Sequence, residues 1–208
     1  MSPQPPIRDE KFWDERYERH DAPWDTNRPS NQLQRIIGEY NILPCRVLEF
    51  GCGTGANAVF LAQQGFDVTA LDISPLAVEQ ARAKVQAAGV NVKLLAADVL
   101  KLPDLGPPFP FAFDRGVYHG IRQENLGGFL DVLKRVVAPG GMYLTMAGNA
   151  NEVSPPEIGP PRVSAEEICC ELGSIMDLVQ LREFRFGELI IDDRRAHPLA
   201  WSALFRGK

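Results

Sequence analysis

The sequence predicts an α/β protein built around a mostly parallel sheet with helices on both faces. From about Arg46 onward, short β-rich runs alternate with stretches of helical periodicity, which is typical of parallel βαβ units. The first run ends in a carboxylate, passes through three glycines at alternate positions and opens into an amphipathic helix. A strand, a tight turn and a helix N-terminus in that order favour a nucleotide-like ligand. The 208 residues suffice for one domain of this kind.

Local signals define the individual elements. Gly65 and Gly89 follow helical stretches as C-caps, and Ser74 before Pro75 opens the second helix. Ser164 begins a capping box and a further helix. The predicted strands are 47–50, 68–72, 92–96, 111–117 and 142–146, followed by β-like runs at 178–186 and 198–205. The other predicted helices are 55–64, 75–88 and 124–138.

Composition narrows the class of partner. A net charge of −5 argues against nucleic acid, because proteins that bind phosphate backbones usually carry a basic patch. No stretch is apolar for long enough to span a membrane, and the first residues lack the regions of a signal peptide. The four cysteines match neither a zinc spacing nor a disulfide framework. We expect a cytoplasmic protein without bound metal, a monomer or a dimer, that acts on a small molecule.

The glycine-rich turn predicts one end of the ligand site. Gly51, Gly53 and Gly55 lack Cβ atoms, so the backbone can turn sharply and approach a ligand. N–H groups at the start of the next helix favour a carboxylate, and Glu49 suits an ammonium group. The spacing is G-x-G-x-G and departs from the dinucleotide fingerprint G-x-G-x-x-G. The alternative is a turn that only joins strand to helix.

Acidic residues follow the next two strands. Asp72 closes the second strand, 21 residues after Gly51, where nucleotide-binding sheets place the acid that accepts from ribose hydroxyls. Asp98 can accept a hydrogen bond from an adenine amino group, while Val99 packs against the ring. The alternatives are that Asp72 caps the following helix and that Asp98 is a solvated turn residue.

Titratable side chains cluster at the carboxyl end of the fourth strand, where ligands of such sheets bind. Asp114, Tyr118 and His119 are candidate bases, and His197, at the start of the last strand region, is another. Arg115 either holds an anionic acceptor or pairs with Asp114. The alternative is a buried Asp114–Arg115 pair that only fixes the strand end.

The order of these motifs resembles that of the class I S-adenosylmethionine (SAM) dependent methyltransferases: Glu49 with the three glycines, then Asp72, then Asp98-Val99, then the Asp114 strand. The resemblance covers about residues 30–208. It implies a Rossmann-like fold with a mostly parallel seven-stranded sheet and an antiparallel C-terminal edge strand. It also implies a leader over the cofactor site in residues 1–40, a SAM-binding domain in 41–208, and S-adenosylhomocysteine as the product. The implied cofactor contacts are Glu49, Gly51, Gly53, Gly55, Asp72, Ile73, Asp98, Val99, Asp114 and Arg115.

The N-terminal region and the tripeptide Asp114-Arg115-Gly116 are similar to the thiopurine, thiol and tellurite methyltransferases. The matching leader segments are 12–17 and 23–25. In that group the leader folds over the cofactor, which implies cofactor contacts for Trp13 and Trp24 and a methyl acceptor at sulfur, selenium or tellurium. Alternatively, residues 11–33 form an amphipathic helix docked on the core. The proline-rich loop 148–161 either shapes the acceptor pocket or merely connects.

Three other functions remain open at this point. The acceptor atom can be oxygen or nitrogen, in which case a general base helps. An NAD-dependent oxidoreductase shares the strand, turn and helix, but it predicts a second nucleotide-binding half that this chain lacks. A non-catalytic SAM-binding protein predicts a cofactor site without room for an acceptor.

Overall fold

The computed structural model describes residues 9–154, 159–187, 189–191 and 194–208. The helices are α1 (Glu10–Glu18), α2 (Asn31–Glu39), α3 (Ala56–Gln63), α4 (Pro75–Ala88), α5 (Tyr118–Val136) and α6 (Ala165–Gly173). The strands are β1 (Arg46–Phe50), β2 (Asp67–Asp72), β3 (Lys93–Ala96), β4 (Phe109–Arg115), β5 (Val137–Asn149), β6 (Arg162–Val163), β7 (Met176–Arg185), β8 (Leu189–Ile191), β9 (Arg194–Ala196) and β10 (Leu199–Gly207). A 3-10 turn covers Val99–Lys101.

The main sheet has the order β3-β2-β1-β4-β5-β10-β7, and the short β6 pairs with β5. Strands β1 to β5 are mutually parallel, whereas β10 runs antiparallel to both β5 and β7. The predicted fold class is therefore confirmed, including the antiparallel pair at the C-terminal edge, where β7 is the outermost strand. Strands β8 and β9 form a separate two-stranded sheet.

Side chains alternate across the sheet and build one core on each face. On β1, Leu48 and Phe50 enter the core that α5 and α6 cover, while Val47 enters the core on the opposite face. Leu33 and Ile36 of α2 are fully buried in that second core, beside residues of α3 and α4. Helix α2 is thus a fixed part of the fold, although it lies within the first 40 residues.

The two ends of helix α4 are set by the capping residues that the sequence predicts. Ser74 accepts a hydrogen bond from Ala77 N at 3.0 Å and so caps the helix start, and Pro75 occupies the first helical position. Gly89 ends the helix in the left-handed region, with φ of 65°. Both predicted ends are confirmed.

Several boundaries differ from the sequence prediction. Helix α5 begins at Tyr118, not at 124, because Asp114 caps it from the preceding strand, and Asn125 interrupts the helix with non-helical angles. Strand β4 correspondingly ends at Arg115, and β5 extends from Val137 to Asn149. The sequence analysis did not foresee β6 or the β8–β9 hairpin. Within the proline-rich loop, residues 155–158 lie outside the described part of the chain.

Candidate cofactor site

The glycine-rich turn connects β1 to α3 in a conformation that only glycine adopts readily. Gly51, Gly53 and Gly55 have φ of 63°, 51° and 82°. A Cβ on Gly51 would lie 2.4 Å from the Val117 side chain, and one on Gly53 would lie 2.9 Å from the Tyr17 hydroxyl. The turn therefore meets the loop after β4 and the leader directly, which places all three at the carboxyl edge of the sheet.

Glu49 supplies a buried carboxylate next to this turn. Its side chain is 1% exposed, and Oε1 accepts a hydrogen bond from Asn57 Nδ2 at 3.2 Å. Among the described residues, Oε2 has no hydrogen-bond partner. Burial raises the pKa of Glu49 to about 8, although Asn57 and the Arg115 charge oppose the shift. A buried carboxylate oxygen without a donor fits an ammonium group, which would supply both a proton donor and a positive charge.

Asp72 joins the first two turns at this edge. Oδ2 accepts from Gly53 N at 2.8 Å and Oδ1 accepts from Ser74 N at 3.0 Å. Burial raises the pKa of Asp72, while these backbone N–H bonds lower it. Asp72 thus supports the start of α4 through Ser74, the residue that caps it, as the alternative interpretation proposed. Each carboxylate oxygen still has a lone pair for a ribose hydroxyl, so both roles are compatible. Ile73 is half-buried beside it.

Asp98 has local partners in the turn after β3. It accepts a hydrogen bond from Leu100 N at 2.9 Å and forms an ion pair with Lys101 at 3.1 Å. Val99 is 8% exposed and belongs to the core. The turn-residue interpretation therefore accounts for the Asp98 contacts within the described chain, and an adenine contact from Asp98-Val99 stays a proposal.

The Asp114 carboxylate, predicted to contact the cofactor or to act as a base, accepts hydrogen bonds from within the chain. Its side chain is fully buried, and Oδ1 accepts from the N–H groups of Val117 and Tyr118 at 2.8 and 3.0 Å. Oδ2 accepts from the Tyr143 hydroxyl at 2.6 Å. Asp114 thus shapes the loop after β4 and the start of α5, and it holds Arg115 in place through the backbone.

The hydroxyl of Tyr118, also predicted to act as a base, has a partner within the fold. The residue is fully buried, and its hydroxyl donates to Glu171 of α6 at 2.7 Å. Burial raises the pKa of Tyr118 and the negative Glu171 raises it further. Arg122 pairs with the same glutamate, so the three residues join α5 to α6. Tyr118 therefore helps to join the two helices, and its role as a base stays a prediction.

The two candidate histidines lie in different surroundings. His119 is 7% exposed, and its Nδ1 accepts a hydrogen bond from Gly148 N at 3.0 Å. That bond assigns the ring proton of the neutral histidine to Nε2, so His119 fixes the end of β5 and does not present a free basic nitrogen at Nδ1. His197 is exposed, and its carbonyl accepts from Arg185 at 2.8 Å. No described contact brings His197 to the turn after β1.

Arg115 lies where three parts of the chain meet. Its guanidinium donates to the Trp24 carbonyl at 2.8 Å and stacks on the Phe186 ring at 5.1 Å from the centroid. Burial lowers the pKa of Arg115, while the neighbouring Asp25 and Glu49 carboxyl groups favour its charged form. A largely buried cation at this edge can hold an anion, and it ties the leader to β4 and to the segment after β7.

Leader residues contact the turns after β1 and β2. Asp14 accepts hydrogen bonds from the Ser74 hydroxyl and, at 3.2 Å, from Leu76 N. Asp25 accepts from the Thr54 hydroxyl at 3.0 Å. Trp24 meets Trp13 edge to face at 5.5 Å, and its Nε1 donates to the Tyr17 hydroxyl at 3.2 Å. The leader thus contains a short helix, α1, followed by an irregular segment, and both cover the glycine turn.

The structure therefore brings most of the predicted residues together. Glu49, Gly53, Asp72 and Arg115 lie at the carboxyl ends of three adjacent strands, β2, β1 and β4. The sequence analysis missed Asn57, Ser30 and Phe186. Asn57 closely follows the three glycines, and its polar side chain on the first turn of a mostly apolar helix was the available signal.

Two findings concern what the described residues do not contain. No cluster of three histidine, cysteine, aspartate or glutamate side chains among them is arranged to hold a metal ion. None of the helices in the described ranges has the length and apolar character needed to cross a membrane.

Part of the chain matches a known family, and several curated proteins are similar to it. Residues 47–141 match the family described as "Methyltransferase domain". A 2-heptyl-1-hydroxyquinolin-4(1H)-one methyltransferase of Mycobacteroides abscessus is 28% identical over 70% of this chain and 64% of its own length. A probable thiol methyltransferase 2 of Arabidopsis thaliana is 27% identical over 74% of this chain and 68% of its own. The chain spans less than two thirds of the first of these relatives.

Solved structures agree on the fold. A structure described under "Conversion of a Disulfide Bond into a Thioacetal Group during Echinomycin Biosynthesis" gives a TM-score of 0.81 at 23% identity, covering 96% of this chain and 92% of that one. A Burkholderia thailandensis 1,6-didemethyltoxoflavin-N1-methyltransferase with bound acceptor and S-adenosylhomocysteine gives 0.73 at 18% identity, covering 99% and 93%. At these identities the solved structures show a shared fold, as the resemblance implied. Residues 47–141 form the part that matches the family directly.

Proposed function

We propose that this protein transfers a methyl group from SAM to a small-molecule acceptor whose reacting atom is sulfur or a similarly soft anion. The observation that carries the SAM site is the Glu49 carboxylate, which is buried, has no partner at Oε2 among the described residues and adjoins the glycine turn. Glu49 would bind the ammonium group of the methionine moiety, and the N–H groups at the start of α3 would face its carboxylate. Asp72 would accept from the ribose hydroxyls.

SAM supplies an already electrophilic methyl group, so this chain's residues mainly position the acceptor and exclude water. Trp13, Tyr17 and Trp24 cover the edge of the sheet and would shield the site. Holding two reactants in line can provide roughly 7–11 kcal/mol in favourable cases. Arg115 would hold an acceptor that carries negative charge near the methyl group.

The acceptor class is inferred from the hydrogen bonds that the candidate bases already make within the chain. Asp114 accepts three hydrogen bonds, the Tyr118 hydroxyl donates to Glu171, and His119 Nδ1 accepts from a backbone N–H. An alcohol or amine acceptor benefits from a base, whereas a thiolate does not. The arrangement therefore favours an acceptor that is anionic before it reacts. The Arabidopsis relative's name supports this choice, while the Burkholderia structure is named for a nitrogen acceptor.

Two measurements test the proposal. In calorimetry, the protein should bind S-adenosylhomocysteine, Glu49→Gln should bind it far more weakly, and the matched change Asp67→Asn, at an exposed residue of β2, should not alter affinity. Labelled SAM with thiophenol, phenol and aniline should give methyl transfer to the thiol. Lack of cofactor binding would end the whole proposal. Preference for phenol or aniline would overturn only the acceptor class, and binding without any turnover would favour a non-catalytic SAM-binding protein.

We propose the leader, from its first described residue to Ser30, as a lid over this site, since it contacts the turns after β1, β2 and β4. The helix α2 that follows is excluded from the lid because its apolar residues lie in the core. The lid proposal is narrower than the predicted leader of residues 1–40.

A further inference from the structure

Asn57 connects the Glu49 carboxylate, the proposed partner of the cofactor ammonium group, to the end of the leader at Ser30. On the first turn of α3, its Nδ2 donates to Glu49 Oε1 at 3.2 Å and its Oδ1 accepts from Ser30 N at 2.8 Å. A carboxylate on one side and an N–H group on the other leave only one consistent orientation of the amide. One side chain thus touches both the buried acid and the leader.

Ser30 marks the point where the leader meets the fixed core. Its hydroxyl caps α2 by accepting from Leu33 N at 3.4 Å, and it lies 3.3 Å from the Met146 sulfur of β5. Leu33 is fully buried. A change in the position of the Ser30 N–H therefore alters the direction in which the leader departs, while α2 stays in place.

The charge of Glu49 determines how strongly Asn57 is held. A hydrogen bond to an ionised carboxylate is roughly twice as strong as one between neutral groups. Polarising the Asn57 amide from the Glu49 side also strengthens its carbonyl oxygen as an acceptor for Ser30. An ammonium group bound beside Glu49 keeps that carboxylate ionised.

We propose that Asn57 is a positioning residue that transmits cofactor binding at Glu49 to Ser30, so that the leader closes when the cofactor is bound. The inference depends on the proposed SAM site. It assigns to Asn57 a role beyond ligand contact: the cofactor and the closed leader stabilise each other through one amide.

The variant Asn57→Leu tests this because leucine is similar in size and forms neither hydrogen bond. Gln63→Leu is the matched control, an amide-to-leucine change at an exposed position of the same helix. Trypsin cleavage after Arg16 and Arg19 reports leader opening, and calorimetry reports the affinity for S-adenosylhomocysteine. Cleavage is compared at saturating ligand for each variant, which separates loss of coupling from loss of affinity.

In the wild type and in Gln63→Leu, saturating S-adenosylhomocysteine should slow cleavage about tenfold or more, as expected for closure of a locally opening segment. In Asn57→Leu, affinity should fall about 5- to 20-fold and cleavage at saturation should slow less than about twofold. Full protection of saturated Asn57→Leu would overturn the coupling while leaving the SAM site intact. A wild type that binds ligand without protecting the leader would also overturn it, and a wild type that releases no heat would end both proposals.

A second variant tests the coupling in case Asn57→Leu fails to fold. Asn57→Ser keeps a polar residue but is too short to reach both partners, so it should lose protection in the same way. Circular dichroism checks that each variant is folded. Protection of saturated Asn57→Ser equal to that of the wild type would count against the coupling as directly as the leucine result.

Discussion

Cofactor binding should depend on pH through Glu49. The pKa of this carboxyl is raised to about 8, chiefly by burial and to a smaller extent by Asp72, against the opposing effects of Asn57 and Arg115. At neutral pH the ligand-free protein therefore holds Glu49 mostly protonated. Because an ammonium group binds the ionised form, binding of S-adenosylhomocysteine below pH 8 has to release a proton.

The sign and size of the effect follow from this linkage. Well below pH 8, affinity should rise about tenfold per pH unit, since the proton lost on binding becomes cheaper to remove. Between pH 6 and 7.5 the gain should be about 15- to 25-fold. Above pH 8 Glu49 is already ionised in the ligand-free protein, so affinity should stop rising there.

Calorimetry in two buffers with different ionisation enthalpies measures both quantities. At pH 6.5 the wild type should release about one proton per ligand bound. Glu49→Gln should bind weakly, without proton release and without the rise in affinity from pH 6 to 7.5. A wild-type affinity that is flat over this range, with no proton release, would refute the assignment of the ammonium group to Glu49.

Four further outcomes follow from the structure. Glu49→Gln should raise the free energy of unfolding of the ligand-free protein at pH 8 by about 1–3 kcal/mol. Because folding raises the pKa of Glu49, its ionisation destabilises the fold once the pH exceeds the pKa of this group in the unfolded chain. Thermal unfolding at pH 8 and pH 5 checks this, and an equal effect at both would contradict it. Gly51→Ala should cost about 2–4 kcal/mol in denaturant unfolding, since φ is 63° and the new Cβ would lie 2.4 Å from Val117, whereas Gly173→Ala, with open space around it, should cost little. Tyr118→Phe should lower stability by about 1 kcal/mol yet leave kcat nearly unchanged, and a large loss of kcat in a folded protein would restore Tyr118 as a base. Arg115→Leu should speed tryptic cleavage of the leader and lower kcat/KM for an anionic thiolate about 100-fold, while Arg135→Leu, remote from this edge, should do neither.

The sequence predicted those features that depend on neighbouring residues. The limits of α4 and the turn after β1 follow from capping residues and glycines that act within a few positions of themselves. The beginning of α5 was misplaced because its cap, Asp114, belongs to the preceding strand and the helix is interrupted at Asn125.

The candidate site was harder to predict than the fold for the same physical reason. Asp114 and His119 are each held by a partner 29 residues away, and Tyr118 by one 53 residues away. A titratable residue at a strand end looks catalytic in sequence until such a partner is known. Glu49 stays a candidate to bind an ammonium group because its Oε2 has no partner among the described residues.

The position of β10 has a consequence for synthesis in the cell. This strand lies between β5 and β7, and Ala203, Leu204 and Phe205 are fully buried. While the polypeptide is still being translated, the hydrogen-bonding edge of β5 stays open until residues 199–207 have left the ribosome. The nascent chain therefore exposes an unpaired strand edge from the emergence of β5 to that of β10, and during this interval chaperones would protect it from aggregation.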